Sequence, residues 1–451
     1  MIITILIALA ALAVTLPLWL PRAVVALRVR IFTSINGEEG IAIPGKLVDA
    51  AHFKEVYSHP AANGRSRGAA LSDLFWYWLS PGPELHQEHL EPGSRYEEVA
   101  SATRQFLAMP KKSAEDLAAR CASRVLDERG NDGVELIRLR DLMMPIWAEL
   151  YYQVVFGRDC PRLARDLIVA NADDVVTALK MSSLRHMDRR DRLTRYLVER
   201  LTAGELAGRL PAGLSLDQQA LYLQGVFFNT AVVQMSEAMA HLLLALAQNQ
   251  AAQATVVSAL DDDRVLDQAI AESLRAYPLF GIAHRITSAD IEVGQTTLPK
   301  GSVLCFNYLE YHNAGVEDPG RFCPARWEAH QARPANYIPF GVTANRPCPA
   351  QAISLVTMRA VAREMLRRFE LHSSAAHMRS LPNRGPCVLV PRTSPPRAWI
   401  RETFLVFLRM RERCEEVARS VVQLVLGTYM LWDARRQRLC QRHFETEELK
   451  R

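Results

Sequence analysis

The feature of this sequence that most constrains its fold is an apolar segment at residues 220–246. Apolar side chains recur there at three- and four-residue spacing, which predicts a helix, and the remaining faces are largely apolar as well. Such a helix is stable in water only when other elements cover it on all sides. The chain has 451 residues, 49% of them hydrophobic and 23% charged, which provides the material for a large core. We therefore expect one large domain built around this helix.

The pattern on either side of this helix predicts a mainly α fold with small β-sheets. Long amphipathic patterns run from residue 96 to residue 260 and include a helix pattern at 136–155. Residues 46–58 and 350–369 are also predicted to be helical. Short β-type segments separated by turn residues are predicted at 282–291, 296–298, 302–306 and 387–390.

The N-terminal 21 residues carry no charge, and roughly 20 apolar residues in a helix span the hydrocarbon core of a bilayer. Arg22, Arg28 and Arg30 follow this stretch and no basic residue precedes it. The positive-inside rule then places the rest of the chain in the cytosol. The alternative, a cleaved signal peptide, lacks its basic n-region and a clear small-x-small cleavage site. We expect a single-pass membrane anchor at residues 1–21, with the main domain on the cytoplasmic side.

The C-terminal residues 400–451 are predicted to form a basic helical extension of the main domain. An apolar run at 421–432 is bracketed there by arginine-rich segments. A basic amphipathic helix can lie on an anionic membrane surface, and it can equally pack on the domain or on a partner. Packing is the interpretation that we favour.

Charge and cysteine spacing exclude several classes of function. The net charge is +5, and no segment combines a dense basic stripe with interleaved aromatic residues, so nucleic acid is not an expected partner. The eight cysteines show no CxxC spacing, which argues against zinc ribbons and redox dithiols. A disulfide framework is also not expected in so long a chain with dispersed thiols.

One cysteine, Cys348, is placed for chemistry in the segment Arg346-Pro-Cys-Pro, just before the helix predicted at 350–369. A helix N-terminus and a nearby arginine both lower the pKa of a thiol. A thiolate in that position is a good iron ligand that favours cleavage of bound dioxygen. The alternative is a buried cysteine that behaves as a small hydrophobic residue, and the loop by itself does not decide between the two.

A second constellation lies upstream of this loop. Glu272 and Arg275 are three residues apart and share a helix face, and Arg326 arrives from a Pro-x-Arg-Trp segment. Three such charges are stable in the interior only if every one is paired. The alternative for a Glu-x-x-Arg pair is an exposed surface pair.

The ordered set of Glu-x-x-Arg, Pro-x-Arg-Trp and, about 20 residues later, Arg-x-Cys resembles the cytochrome P-450 superfamily. The resemblance covers residues 32–395, is most specific over 272–370, and predicts a catalytic domain at 30–395. It implies a helix-rich fold with haem between a long central helix and the cysteine loop.

The family resemblance implies a role for individual residues toward haem b. Cys348 is expected to be the axial thiolate of the iron. Arg285 and Arg346 are expected to pair with the propionates, because guanidinium groups suit carboxylates. Phe340 is expected beside the proximal face. Arg104 is either a third propionate partner or a solvated helix arginine.

This sequence departs from the family pattern in the cysteine loop. The family loop usually has phenylalanine seven residues before the cysteine and glycines four before and two after it. Here Phe340 is eight residues before Cys348, and Ala344 and Ala350 stand at the glycine positions. Alanine replaces glycine at low cost unless the position needs a positive φ. We expect a loop of changed shape that still presents the cysteine.

A larger departure lies on the central helix, where the family carries an acid–alcohol pair that relays protons. That pair falls on Val233 and Gln234. Valine cannot relay a proton, whereas Gln234 can orient water or substrate by hydrogen bonds. Asn229 and Thr230, one turn earlier, are candidates for the polar kink. The alternative is that these are polar residues of a buried helix that bond to the backbone.

The function implied by the resemblance is monooxygenation of a lipophilic organic molecule with O₂. No flavin or iron–sulfur segment is recognised in the sequence, so the electrons are expected to come from NAD(P)H through a separate reductase or ferredoxin. Largely apolar predicted pocket walls suit such a substrate. The altered central helix leaves two alternatives open: a haem-thiolate isomerase, dehydratase or peroxygenase, and a non-catalytic membrane-tethered haem-binding protein.

Overall fold

The computed structural model describes residues 2–36, 40–129, 133–328 and 336–449. It is mainly helical, with two three-stranded sheets and one two-stranded sheet in the described ranges. The helices are α1 (Ile2–Asn36), α2 (Phe53–Ser58), α3 (Ala70–Leu79), α4 (Ser94–Phe106), α5 (Lys111–Asp127), α6 (Leu139–Phe156), α7 (Arg162–Leu179), α8 (Met187–Thr202), α9 (Leu216–Leu223), α10 (Val232–Gln248), α11 (Gln250–Ser258), α12 (Asp263–Ala276), α13 (Tyr308–Asn313), α14 (Gln351–Arg368), α15 (Ala398–Gln437) and α16 (Leu439–Leu449). The strands are β1 (Ile41–Ile43), β2 (Glu135–Arg138), β3 (Ile282–Ile286), β4 (Ile291–Val293), β5 (Thr296–Leu298), β6 (Val303–Asn307), β7 (Phe369–His372) and β8 (Pro386–Pro391).

The central helix is continuous from α9 to α10 through a π-helical segment, Gln224–Ala231. Nearly all of α10 is buried, and it packs against α6 and α12. Within the described ranges this is the helix that is long and apolar enough to cross a membrane, yet 78% of its most apolar window is buried inside the domain. The burial shows that its hydrophobicity serves the core, as predicted.

The sheets are small and lie beside the helices. In one sheet β6 pairs antiparallel with β3 and parallel with β1. In the second, β8 lies between β2 and β7, antiparallel to both, and β4 and β5 form a two-stranded hairpin. These strands confirm the β-type segments predicted after residue 279.

Two predicted helices begin later than their patterns indicated. The 136–155 pattern starts as strand β2, because Glu135–Arg138 pairs with the distant strand β8, and α6 begins at Leu139. Within 46–58, the helix is confined to Phe53–Ser58. Pairing with a strand far along the chain overrides local periodicity.

The two chain ends meet on the outside of the domain. Helix α1 runs beyond residue 21 and packs along α15. Val24 is buried there, and the Arg28 guanidinium donates a hydrogen bond to Gln423 Oε1 at 3.2 Å. Met1 and the side chains of residues 2–14 lie outside the described part of the chain, so the membrane anchor and the domain boundaries stay predictions.

One face of α15 is attached to the domain. Its buried residues include Leu408, Met430 and Ala434. The Tyr77 hydroxyl of α3 donates to Asp433 Oδ2 at 2.9 Å. The C-terminal helices are therefore packed against the domain along this face.

Candidate active site

The predicted charge cluster is present and buried. Both oxygens of Glu272 accept hydrogen bonds from the Arg275 guanidinium at 2.9 Å, and Oε1 accepts a third from Arg326 at 3.1 Å. Glu272 and Arg275 are inaccessible to solvent. The Trp327 indole N–H, which sequence reasoning did not assign, donates to Glu272 Oε2 at 2.9 Å. The cluster joins α12 to the segment that precedes the cysteine loop, as the sequence predicted.

The cysteine loop is a tight turn that ends at α14. Val342 and Asn345 form an isolated β-bridge, and the Cys348 N–H donates back to the Phe340 carbonyl at 3.0 Å. This bond holds the cysteine over the start of the turn. Phe340 is half-buried and packs against the main core.

The alanines at the family's glycine positions are not strained. The positive φ angles of this loop fall on Gly341 (+74°) and Arg346 (+51°), whereas Ala350 has φ −92° as the residue that precedes α14. Only the left-handed region penalises a Cβ. The alanines therefore have ordinary backbone conformations, and Gly341 and Arg346 are the left-handed positions of this loop.

Burial dominates the electrostatics of Cys348. It raises the pKa of the thiol to about 11, although the N–H groups of Ala350 and Gln351 act in the opposite direction. The helix terminus thus lowers the pKa as expected, but burial outweighs it and the net shift is upward. Arg346 instead donates to the carbonyls of Gln87 (3.0 Å) and Leu90 (2.7 Å). A metal ion coordinated by this sulfur would stabilise its thiolate form outright.

Three arginines are buried together near this cysteine: Arg65, Arg285 and Arg346, with 5%, 2% and 7% of their surface exposed. Burial and the charge of Arg285 lower the pKa of Arg65 to about 9 and that of Arg346 to about 10. Glu88 pairs with Arg65 at 3.4 Å, and its charge also raises the pKa of Cys348. The arginines and the thiol therefore belong to one site.

The donor set of these arginines fits a ligand that carries carboxylates. The buried Nε of Arg285 has no hydrogen-bond partner among the described residues, although Nη2 donates to the Tyr57 hydroxyl at 3.1 Å. Buried guanidinium groups are stable only when their charge is paired. Two propionates beside a thiolate ligand would supply that pairing, so these residues fit haem.

Arg65 is the member of this cluster that sequence reasoning missed. It lies in a loop next to the exposed Arg67, and no pattern in the sequence distinguishes the two. Arg104, which was considered as a third propionate partner, is exposed on α4. The residue of α4 that faces the interior is the neighbouring Thr103, whose Oγ1 lies 2.9 Å from the Tyr222 hydroxyl. The placement of Arg104 does not support a role in cofactor binding.

A buried histidine contacts the central helix at Thr230. His86 Nε2 lies 2.9 Å from Thr230 Oγ1, and the Glu88 N–H donates to His86 Nδ1 at 3.0 Å. Burial lowers the pKa of His86 to about 4, so the ring is neutral at pH 7. Since Nδ1 accepts a hydrogen bond, the proton of the neutral ring is on Nε2, which donates to the threonine oxygen. The Thr230 hydroxyl proton is then free to point elsewhere.

The other predicted residues of the central helix differ in burial. Asn229 is 6% exposed and lies with Thr230 in the π-helical segment. Gln234 is half-buried in the first turn of α10, and Val233 packs against the core. Segments of π-helix shift the register of the residues that follow and are frequent at functional sites. The expected polar distortion of this helix is thus present as a π-helical turn.

Comparison with known proteins is consistent with this geometry. A family model described as cytochrome P-450 matches residues 214–398. A putative cytochrome P-450 of Mycobacterium tuberculosis is 32% identical over 155 residues, which are 32% of this chain and 32% of that protein. Cyclooctat-9-en-7-ol 5-monooxygenase of Streptomyces melanosporofaciens is 31% identical over 107 residues, 23% of each chain. The chain spans less than a third of the length of these curated relatives.

The fold similarity covers much more of the chain. A 6-coordinated cytochrome P-450 from Thermus thermophilus superposes with a TM-score of 0.57 at 19% identity, over 76% of this chain and 89% of that one. At this identity the superposition shows the fold, and the sequence match to the family model covers residues 214–398.

Proposed function

Since this chain belongs to the cytochrome P-450 superfamily, we propose that it is a haem-thiolate monooxygenase with Cys348 as the axial ligand. The observation that carries the proposal is the half-buried Cys348 just before α14, two residues from Arg346, which is buried together with Arg65 and Arg285. When bound, haem supplies the iron that activates dioxygen for insertion into a substrate.

The protein groups would hold the haem at its propionates and at its iron. Arg285, Arg346 and Arg65 would bind the propionates, whose charges would compensate the three buried guanidinium groups. Phe340 would pack beside the haem, and the hydrogen bond from the Cys348 N–H to the Phe340 carbonyl holds the cysteine in place. The exposed Arg104 is omitted from this set.

Polar residues of the central helix would transfer protons and orient water or substrate. Thr230 accepts a hydrogen bond from the neutral His86, which leaves the hydroxyl proton of Thr230 free to be donated elsewhere. Gln234 would orient water or substrate through its amide, and Asn229 lies with Thr230 in the π-helical segment. In this protein the threonine–histidine pair takes the place of the family's acid–alcohol pair.

The substrate class proposed is a lipophilic organic molecule that is hydroxylated or epoxidised. The cyclooctatenol monooxygenase similar to this chain is named for oxidation of such a compound. Electrons come from NAD(P)H through a separate reductase or ferredoxin, and residues 1–21 hold the enzyme on the cytoplasmic side of a membrane. A peroxygenase is the second candidate, because Val233 stands where an acidic residue of the relay is expected and peroxide carries its own protons.

The test of haem-thiolate ligation is the carbon monoxide difference spectrum of the reduced protein. Wild-type protein supplemented with haem is expected to show the red-shifted Soret band of a thiolate-ligated haem. Cys348→Ala is expected to lose the band, and Cys160→Ala, which removes another half-buried thiol, is expected to keep it. A band that persists in Cys348→Ala refutes the ligand assignment, and a colourless wild-type protein refutes the enzyme.

A separate comparison distinguishes the two reactions. Product formation with a surrogate reductase and NADPH is measured against product formation with hydrogen peroxide alone. Turnover with the reductase supports the monooxygenase, whereas turnover with peroxide alone supports the peroxygenase.

A further inference from the structure

The outer face of α15 carries an apolar stripe made of two stretches, residues 399–410 and 421–432. Its members are exposed by 39% to 64%. At 3.6 residues per turn they fall within about 160° of the helix circumference, along roughly 50 Å of its length. We call this set the outer stripe: Trp399, Val406, Phe407, Met410, Val421, Val422, Val425, Tyr429 and Trp432. Soluble monomers rarely expose an apolar patch of such extent.

The outer stripe is not the face by which α15 packs on the domain. The opposite side of α15 is already packed, through residues such as Leu408 and Met430, and is tied down by the Tyr77–Asp433 hydrogen bond. The helix is thus fixed to the domain on one face and apolar on the other. A second partner is needed to cover the outer face.

The neighbour of α15 indicates what that partner is. Helix α1 packs alongside α15, with Val24 buried between them and Arg28 bonded to Gln423. Its described exposed residues include Leu18, Trp19 and Val25, and the 21 residues at its start carry no charge. At 3.6 residues per turn Gln423 lies opposite the centre of the outer stripe, so α1 leaves the stripe uncovered while it holds α15 beside the segment proposed to enter a bilayer.

The chemistry of the outer stripe suits the lipid–water boundary. Tryptophan stands at both of its ends, and Tyr429 lies near the second one; these side chains prefer the headgroup level of a membrane. Arg436 stacks on Trp432, with its guanidinium carbon 5.3 Å from the ring, and Arg411 is exposed near the middle. Arg436 also pairs with Asp433, and Arg411 pairs with Glu415, so the aromatic residues, rather than unpaired positive charge, suit this face to the boundary.

We propose that α15 contacts the membrane through the outer stripe, whose side chains insert among lipid headgroups and upper acyl chains. This second contact rests on the proposed membrane attachment by α1, and it is independent of haem. It restricts rotation of the domain about α1, because the domain then meets the bilayer at two places.

The test uses the full chain in vesicles of phosphatidylcholine and phosphatidylserine. Of the eight cysteines, all within the described ranges, Cys414 is the exposed one, and it lies in the middle of the outer stripe. A nitroxide attached there is expected to be several-fold more accessible to oxygen, relative to a water-soluble nickel complex, than a nitroxide at the exposed end of α5 in Cys414→Ser/Lys112→Cys.

A substitution checks that the stripe causes this preference. Phe407→Ser/Val425→Ser is expected to abolish the oxygen preference at Cys414, while Leu163→Ser, which alters an exposed leucine elsewhere, leaves it unchanged. If the wild-type protein floats with vesicles but Cys414 stays accessible to nickel, α15 does not touch lipid although the α1 anchor holds.

Two other outcomes also overturn the inference. Absence of flotation removes both membrane contacts, while the carbon monoxide spectrum still reports the haem function separately. Protection of Cys414 from both relaxation agents, together with a concentration-dependent dimer in detergent, assigns the outer stripe to a second copy of the chain.

Discussion

The loss of Glu272 is expected to destabilise the domain by about 3 kcal/mol, through a charge left unpaired in the interior. In Glu272→Ala, Arg275 loses two bonds of 2.9 Å and the buried Trp327 indole loses its acceptor. Removal of one partner of a buried ion pair typically costs about 3–5 kcal/mol. Arg275 still donates to Asn313 and to the Pro319 carbonyl, which places the expected cost at the lower end of that range.

The assay is urea unfolding followed by tryptophan fluorescence. The matched control is Asp188→Ala, which breaks a helical pair of 3.1 Å whose side chains are 70% and 53% exposed and is expected to cost less than about 1 kcal/mol. A double variant, Glu272→Leu/Arg275→Leu, removes both charges and is expected to lose less stability than Glu272→Ala. If Glu272→Ala lost no more than Asp188→Ala, the argument from buried charge would be refuted.

The remaining predictions concern the cofactor site and pH. Arg65→Leu is expected to speed the transfer of haem to apomyoglobin several-fold, whereas Arg67→Leu, an exposed neighbour, leaves the rate unchanged; equal rates in both variants would remove Arg65 from the site. Thr230→Val and His86→Phe are both expected to raise the peroxide released per NADPH consumed, because each removes the bond that directs the hydroxyl, and normal coupling in His86→Phe would contradict that role. The folded-state pKa values of His86 and His312 are lowered to about 4 by burial, so the unfolded chain binds more protons between pH 6.5 and pH 4. Unfolding free energy is therefore expected to fall as the pH falls through that window, and a flat urea midpoint across it would show that these rings are not buried neutral.

Features that depend on local spacing or on apolar pattern were predictable from the sequence. Glu272 and Arg275 share a helix face because they are three residues apart. The central helix had to be buried because no face of it is polar enough for water. Both predictions needed only helical periodicity and the cost of exposing apolar surface, and both are confirmed.

Other features depended on partners far apart in the chain. Strand β2 replaced the start of a predicted helix because β8 lies beside it, and β8 begins only at Pro386. The pKa of Cys348 was expected to fall, yet the burial of the loop raises it. Desolvation is a property of the whole environment of a group, which a local motif does not contain.

By itself the sequence determined the motifs of the cysteine segment, the Glu272 cluster and the buried central helix, because each is encoded within a few turns of chain. Only the tertiary structure placed Arg65 beside Arg285. It also placed His86 in contact with Thr230, which is 144 residues away in the sequence. It also decided that the apolar stripe of α15 faces outward beside α1. Contacts of this kind arise where separate elements pack together. Burial then determines which of many similar arginines and histidines are charged, neutral or paired.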